Sequence, residues 1–227
     1  MSILSNWLHQ EFGDFRGALE FNREATELGR RHQIGNVEIS AQLDIGGGLV
    51  RRGEAGPALA VFEEMIGRVE KGLGSHRWRW DMRVSVGVAQ ALLALGRGDE
   101  AFAWVDRATA TARSTRSAKY LGKCHALRGE HAILGRRWDD AVTELGQALA
   151  IGRKIQYPTL VWQAGHLLAR AQAEARRPDE AIVTARLALE SIDAVAARAP
   201  DLALRQTFLA WQRVVEARED LDRLIRI

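Results

Sequence analysis

Apolar residues return along this chain with the period of a helix. Between 84 and 95 they fall at Val84, Val88, Ala91, Leu92 and Leu95, one face of a 3.6-residue turn. Similar segments are separated by short turns rich in glycine, arginine and acid. The turns repeat: "GDFRGAL" (13–19), "GEAGPAL" (53–59), "GRGDEAF" (96–102), "GRRWDDAV" (135–142) and "RRPDEAI" (176–182). Each carries an alanine, and the spacings between Ala18, Ala58, Ala101, Ala141 and Ala181 are 40, 43, 40 and 40. Twelve residues before the later four lie Gly46, Ala89, Gly129 and Ala169; seven after them lie Met65, Ala108, Ala148 and Ala188. Small residues on both sides of a tight turn let two antiparallel helices approach closely. Each unit is therefore a helical hairpin, and hairpins of this size bury their apolar faces by stacking.

The pattern predicts leading helices near 2–12, 36–52, 77–95, 117–135 and 158–176, and trailing helices near 15–31, 55–71, 98–113, 138–153 and 179–196. Pro57 and Pro178 sit at helix starts, where a missing N–H is harmless. The segment 198–227 is helical, leaves the repeat pattern and suits a cap, with a break expected near Ala210.

The stretch "ALLALGRGDEAFAWVDRATATAR" (91–113) resembles the tetratricopeptide repeat (TPR) family, in a variant of about 40 residues per repeat. The resemblance runs over roughly residues 1–195. It implies an all-α fold, a right-handed α-α superhelix of about five hairpins (1–31, 36–71, 77–113, 117–153, 158–196) with a cap at 200–226, in a single solenoid over 1–227. The first leading helix is short, so Met1 is expected to begin inside a repeat of a longer protein. "NWLHQEFGDFRGALEFNREA", "KYLGKCHALRGEHAILGR" and "APDLALRQTFLA" are similar to C-terminal TPR regions of large bacterial signalling proteins that carry an ATPase, cyclase or kinase upstream.

The register also decides how "HRWRWDMR" (76–83) is read. Arginines beside tryptophans suit a single-stranded nucleic-acid platform. Yet Trp80 is matched by Val37, Tyr120 and Leu160 in the other hairpins, which marks a packing position. Arg79, Arg83, Val86 and Gln90 lie on another face, the one the resemblance turns to a concave groove. The same face carries Asn36, Ser40, Leu43 and Gly47 one hairpin earlier. It carries Lys119, Lys123, Ala126 and Glu130 one hairpin later, then Thr159, Gln163, His166 and Arg170. Four cations, Arg79, Arg83, Lys119 and Lys123, thus fall on adjacent hairpins, which stack roughly 10 Å apart. They would form a field suited to carboxylates or a phosphate. The alternative is a solvated face whose charges meet local acids such as Asp81 or Glu130.

Composition supports helix: 47% of the 227 residues are hydrophobic, only 7% aromatic, and four are proline. Thirty-two bases against 29 acids give a formal charge of +3 without a basic arm, which argues against a duplex-DNA binder. Cys124, the single cysteine, sits on a packing position and reads as an inert thiol in a reducing, cytoplasmic compartment. The N-terminus lacks the pattern of a signal peptide, and no window has the apolar length of a membrane span.

Catalytic chemistry is not written in the chain. "DIGGGLVRRG" (44–53) lacks the Gly-Lys-Ser/Thr ending of a phosphate loop. No histidine pair has i,i+4 spacing, and Ser75 beside His76 has no nucleophile elbow. Trp211 is either core or part of an exposed patch.

The expected function is therefore a non-enzymatic interaction scaffold without cofactor or metal. It would hold a protein or peptide segment, acidic in character, through Arg79, Arg83, Gln90, Lys119, Lys123, Glu130, Gln163, His166 and Arg170. Two alternatives stand beside it: a domain of a larger signalling ATPase or cyclase that self-associates through solenoid ends, and, more weakly, single-stranded nucleic-acid binding.

Overall fold

A computed structural model describes residues 8–71 and 77–226. The calls that fall on 1–7 and 72–76, including the start of the first leading helix and the Ser75–His76 pair, lie outside the described residues. After helical residues 8–11 come eleven helices: α1 (Phe15–Arg31), α2 (Gly35–Arg51), α3 (Ala55–Glu70), α4 (Arg77–Ala94), α5 (Gly98–Ser114), α6 (Ala118–Leu134), α7 (Trp138–Lys154), α8 (Pro158–Glu174), α9 (Pro178–Ala197), α10 (Leu202–Ala210) and α11 (Gln212–Ile225). No strand occurs among the described residues. The chain forms two compact units, residues 1–116 and 117–227.

In unit 1, α2 packs on α1 and α3, α4 packs on α3 and α5, and the leading helices α2 and α4 touch. Its core centres on Phe62, 1% exposed, wedged between two bare backbones. A Cβ on Gly87 would stand 2.3 Å from the Phe62 ring, and one on Gly46 2.7 Å. Both glycines are thus required by close approach. A second tie is polar. Glu38 of α2 takes hydrogen bonds from Arg30 Nε of α1 at 2.8 Å and from Arg68 Nη1 and Nη2 of α3 at 2.7 and 2.6 Å.

In unit 2, α7 packs between α6 and α8, and α9 packs on α8. Here the repeat core is apolar: Leu145 sits among Ala132, Ala141, Leu168 and Ala171. A Cβ on Gly129 would stand 2.4 Å from Leu145. The small residues that set the repeat are buried in both units, from Ala58 at 0% and Ala101 at 1% to Ala141 and Ala169 at 0%.

The inter-helix turns share one geometry, in which a left-handed residue follows the helix and the next N–H reaches back five residues. Arg97 N–H bonds Leu92 O at 2.9 Å, Arg137 N–H bonds Ala132 O at 2.9 Å, and Arg177 N–H bonds Gln172 O at 2.8 Å. The left-handed position holds Gly13, Gly53 and Gly96 in three turns of unit 1 and Gln33 (φ 57°) and Arg116 (55°) in two others; in unit 2 it holds Arg136 (52°), Gln156 (53°) and Arg176 (59°).

The terminal segment bends at Trp211, whose ψ of 122° is extended, so α10 and α11 are separate helices. Helix α11 packs on α9 and α8 and joins α10. A leading helix packs in this way on the trailing and leading helices of the preceding hairpin. Helix α11 therefore takes the place of a sixth leading helix, with α10 inserted before it.

Candidate functional site: the leading-helix faces

The face expected to line the groove is carried in unit 1 by α2 and α4. Leu43 and Val86 are buried there, at 4% and 3% exposed. A Cβ at Gly47 would meet nothing within 4 Å, so the face is bare at that point. Arg79 is exposed and Gln90 half-buried. Arg83 is not a free cation. It donates to Ser40 Oγ at 2.9 Å and to Asp44 Oδ1 at 2.5 Å, both on α2. Its guanidinium also lies 5.4 Å from the Trp80 ring centroid. The side chains of Arg83 and Asp44 are only 17% and 11% exposed. Their charges are largely spent on joining two hairpins. Asp81 pairs with Arg107 of α5, not with either face arginine.

Trp80 is 9% exposed while Trp78 is 41% exposed. The two rings of "HRWRWDMR" therefore do not make a common stacking surface, which removes the geometry a single-stranded platform needs.

In unit 2 the face belongs to α6, α8 and α11. Lys119 places Nζ 4.7 Å from the centroid of Tyr157, and Lys123 places Nζ 5.5 Å from that of Tyr120. These cation–π contacts orient both ammonium groups. Gln163 is half-buried and Arg170 exposed. His166 Nε2 is 3.0 Å from Asp220 Oδ2, and Arg170 Nε 3.9 Å from the same oxygen. Burial pushes His166 below its usual value; Asp220 opposes that and Arg170 adds to it. Glu130 is exposed by residue area, yet protein crowds its carboxyl. That desolvation raises its carboxyl above the ordinary range, with Arg213 of α11 pulling it down.

The structure thus brings together Glu130, His166 and Arg170 with α11, which was expected only as a cap. Arg213, Glu216, Asp220 and Arg223 of α11 belong to this face and were missed. Asp44, the partner of Arg83, was missed as well. Arg79 and Arg83 stand in unit 1, Lys119 and Lys123 in unit 2. Among the described residues no group of three His, Cys, Asp or Glu side chains could hold a metal ion. No described helix is long and apolar enough to cross a membrane. Cys124 is buried at 1% exposed.

No family model matches the chain, and no curated protein matches it. Solved structures do. One is described as a kinesin light chain of nearly identical TPR-like repeats from Podosopora anserina. It has a TM-score of 0.54 at 19% identity, covering 83% of this chain and 92% of that one. A single-substitution variant of that protein gives 0.53 at 20%, covering 83% and 91%. The fold is of the tetratricopeptide-repeat type. The TPR-type fold accounts for the small-residue pairs, the shared turn geometry and the placement of α11 as a next leading helix.

Proposed function

We propose that this chain is a non-catalytic module that holds a segment of a partner protein, acidic in character, on the faces of its leading helices. One observation carries the reading. In unit 2 the leading-helix face keeps Lys119 and Lys123 oriented over tyrosine rings. Charges held this way are pre-organised for carboxylates without the ordering cost of a free lysine. Helical repeats of this type supply such faces as rigid surfaces. In unit 1 Arg79 is the exposed contributor, while Arg83 acts through its pair with Asp44. A single solenoid over 1–227, a cytoplasmic setting and a place at the end of a larger signalling ATPase or cyclase belong to the same proposal.

The test is fluorescence anisotropy with short peptides, one series rich in Asp and Glu and one neutral. The wild-type chain is compared with Lys119→Glu/Lys123→Glu, and helicity is checked by circular dichroism. The reading expects binding of the acidic series that weakens at least about tenfold in the variant and falls with salt. Equal binding of neutral peptides, or no effect of the double reversal, would remove it.

A further inference from the structure

Glu130 ends the stripe that Lys119 and Lys123 begin on α6, and it differs from the other acids that sit between helices. Asp44 is taken by Arg83, Asp81 by Arg107 and Glu144 by His125. Glu130 is exposed, and among the described residues none makes a hydrogen bond or an ion pair to it.

The basic groups around it are drawn elsewhere. On α8, His166 Nε2 lies 3.0 Å from Asp220 Oδ2 and Arg170 Nε 3.9 Å from the same oxygen. On α11, Arg223 Nη2 lies 3.7 Å from Asp220 Oδ1. Asp220 thus gathers the basic side chains of both helices. Arg213 of α11 acts on Glu130 through space without closing a pair. Protein crowding strips water from the Glu130 carboxyl and raises it above the ordinary range, so no internal contact makes up for the lost hydration. A carboxylate in that position gains more from a cation supplied by a ligand than a fully hydrated one does.

We propose that Glu130 receives a lysine or arginine of the bound segment, so that the segment carries a cation beside its acids. This rests on the leading-helix faces being the binding surface, and it names a second charge that the surface selects. Charge complementarity sets the spacing. Glu130 follows Lys123 by seven residues of helix, about 10 Å. An extended chain covers that distance in about three residues. The ligand is therefore a segment with an acid and, three residues away, a basic side chain.

Fluorescence anisotropy with four peptides of equal length tests this. One is acidic with a single lysine three residues from the nearest acid. The second has glutamine for that lysine. The other two repeat the pair with every acid replaced by glutamine. Each is titrated into wild type and into Glu130→Gln, with helicity checked by circular dichroism. In wild type the lysine should tighten binding at least about threefold, the scale of a partly desolvated surface ion pair. In Glu130→Gln that gain should vanish, while peptides without lysine bind both proteins alike. No gain in wild type, or the same gain in both proteins, overturns the role of Glu130. Acid-free peptides that bind as well as acidic ones remove the acidic reading, and a lysine gain lost only in Glu130→Gln then still upholds Glu130. Absence of binding by all four peptides overturns both.

Discussion

In unit 1 the helices α1, α2 and α3 meet on a carboxylate, whereas in unit 2 the helices α6, α7 and α8 meet on the leucine at 145. Glu38 is covered by the guanidinium groups that bind it, and the hydrogen bonds from Arg68 hold its carboxyl at about 2. Arg83–Asp44 and Arg107–Asp81 extend the same device through α2, α4 and α5. Unit 2 repeats the backbone plan with an apolar centre at Leu145, joined by fewer polar ties such as His125 of α6 to Glu144 of α7 at 2.6 Å. One repeat pattern thus accommodates two kinds of glue. The polar kind makes unit 1 sensitive to pH and charge.

The largest way to break the comparison is to remove the aromatic ring wedged between Gly46 and Gly87 in unit 1. Phe62→Ala should cost about 3–5 kcal/mol, since Gly46 and Gly87 cannot refill the space. Urea denaturation, with hydrogen exchange to locate the loss, should place it in α2, α3 and α4 and leave unit 2 protected.

Next comes Glu38→Gln. It leaves Arg30 and Arg68 without their shared anion and should cost about 1–3 kcal/mol in unit 1, discounted because Arg30 is 56% exposed. The pH dependence has a definite sign. A carboxyl depressed from 4.5 to about 2 stabilises the folded state above pH 4.5, and that contribution is lost as pH falls from 4.5 toward 2. Thermal melts across that window should show a loss in wild type that Glu38→Gln lacks.

In unit 2 the corresponding group is His166. Its folded-state value lies below 6.5, so the unfolded chain takes up the proton first and stability falls as pH drops below 6.5. His166→Gln should flatten that slope without moving the Glu38 window. A result in which both windows follow one residue would dissolve the contrast between the units.

The smallest effects lie in the turns. Arg136→Gly and Arg176→Gly should each stabilise unit 2 by up to about 1 kcal/mol, since glycine adopts positive φ without strain. Gly53→Ala and Gly96→Ala, at φ 83° and 74°, should destabilise unit 1 by a similar amount. Chemical denaturation of the four variants resolves the signs.

The helices were legible because their signals are local. The turn sequences and the small residues at fixed offsets, such as Ala89 with Ala101, mark each hairpin within its own forty residues. The packing role of Trp80 followed from its replacement by Val37, Tyr120 and Leu160 at the same register. The place of α11 was hidden because α10 interrupts the register, so Asp220 has no repeat partner to align with. Asp44 was hidden for a related reason. Its counterpart one hairpin on is Gly87, so nothing in the pattern marked an acid facing Arg83.

Hydrogen exchange with and without a bound acidic peptide tests the central claim most directly, because it reports which helices the ligand touches. The account predicts added protection concentrated in the leading helices α6 and α8 and in α11, with α7 and α9 unchanged. Protection that falls on the trailing helices instead, or none at saturating peptide, would contradict it.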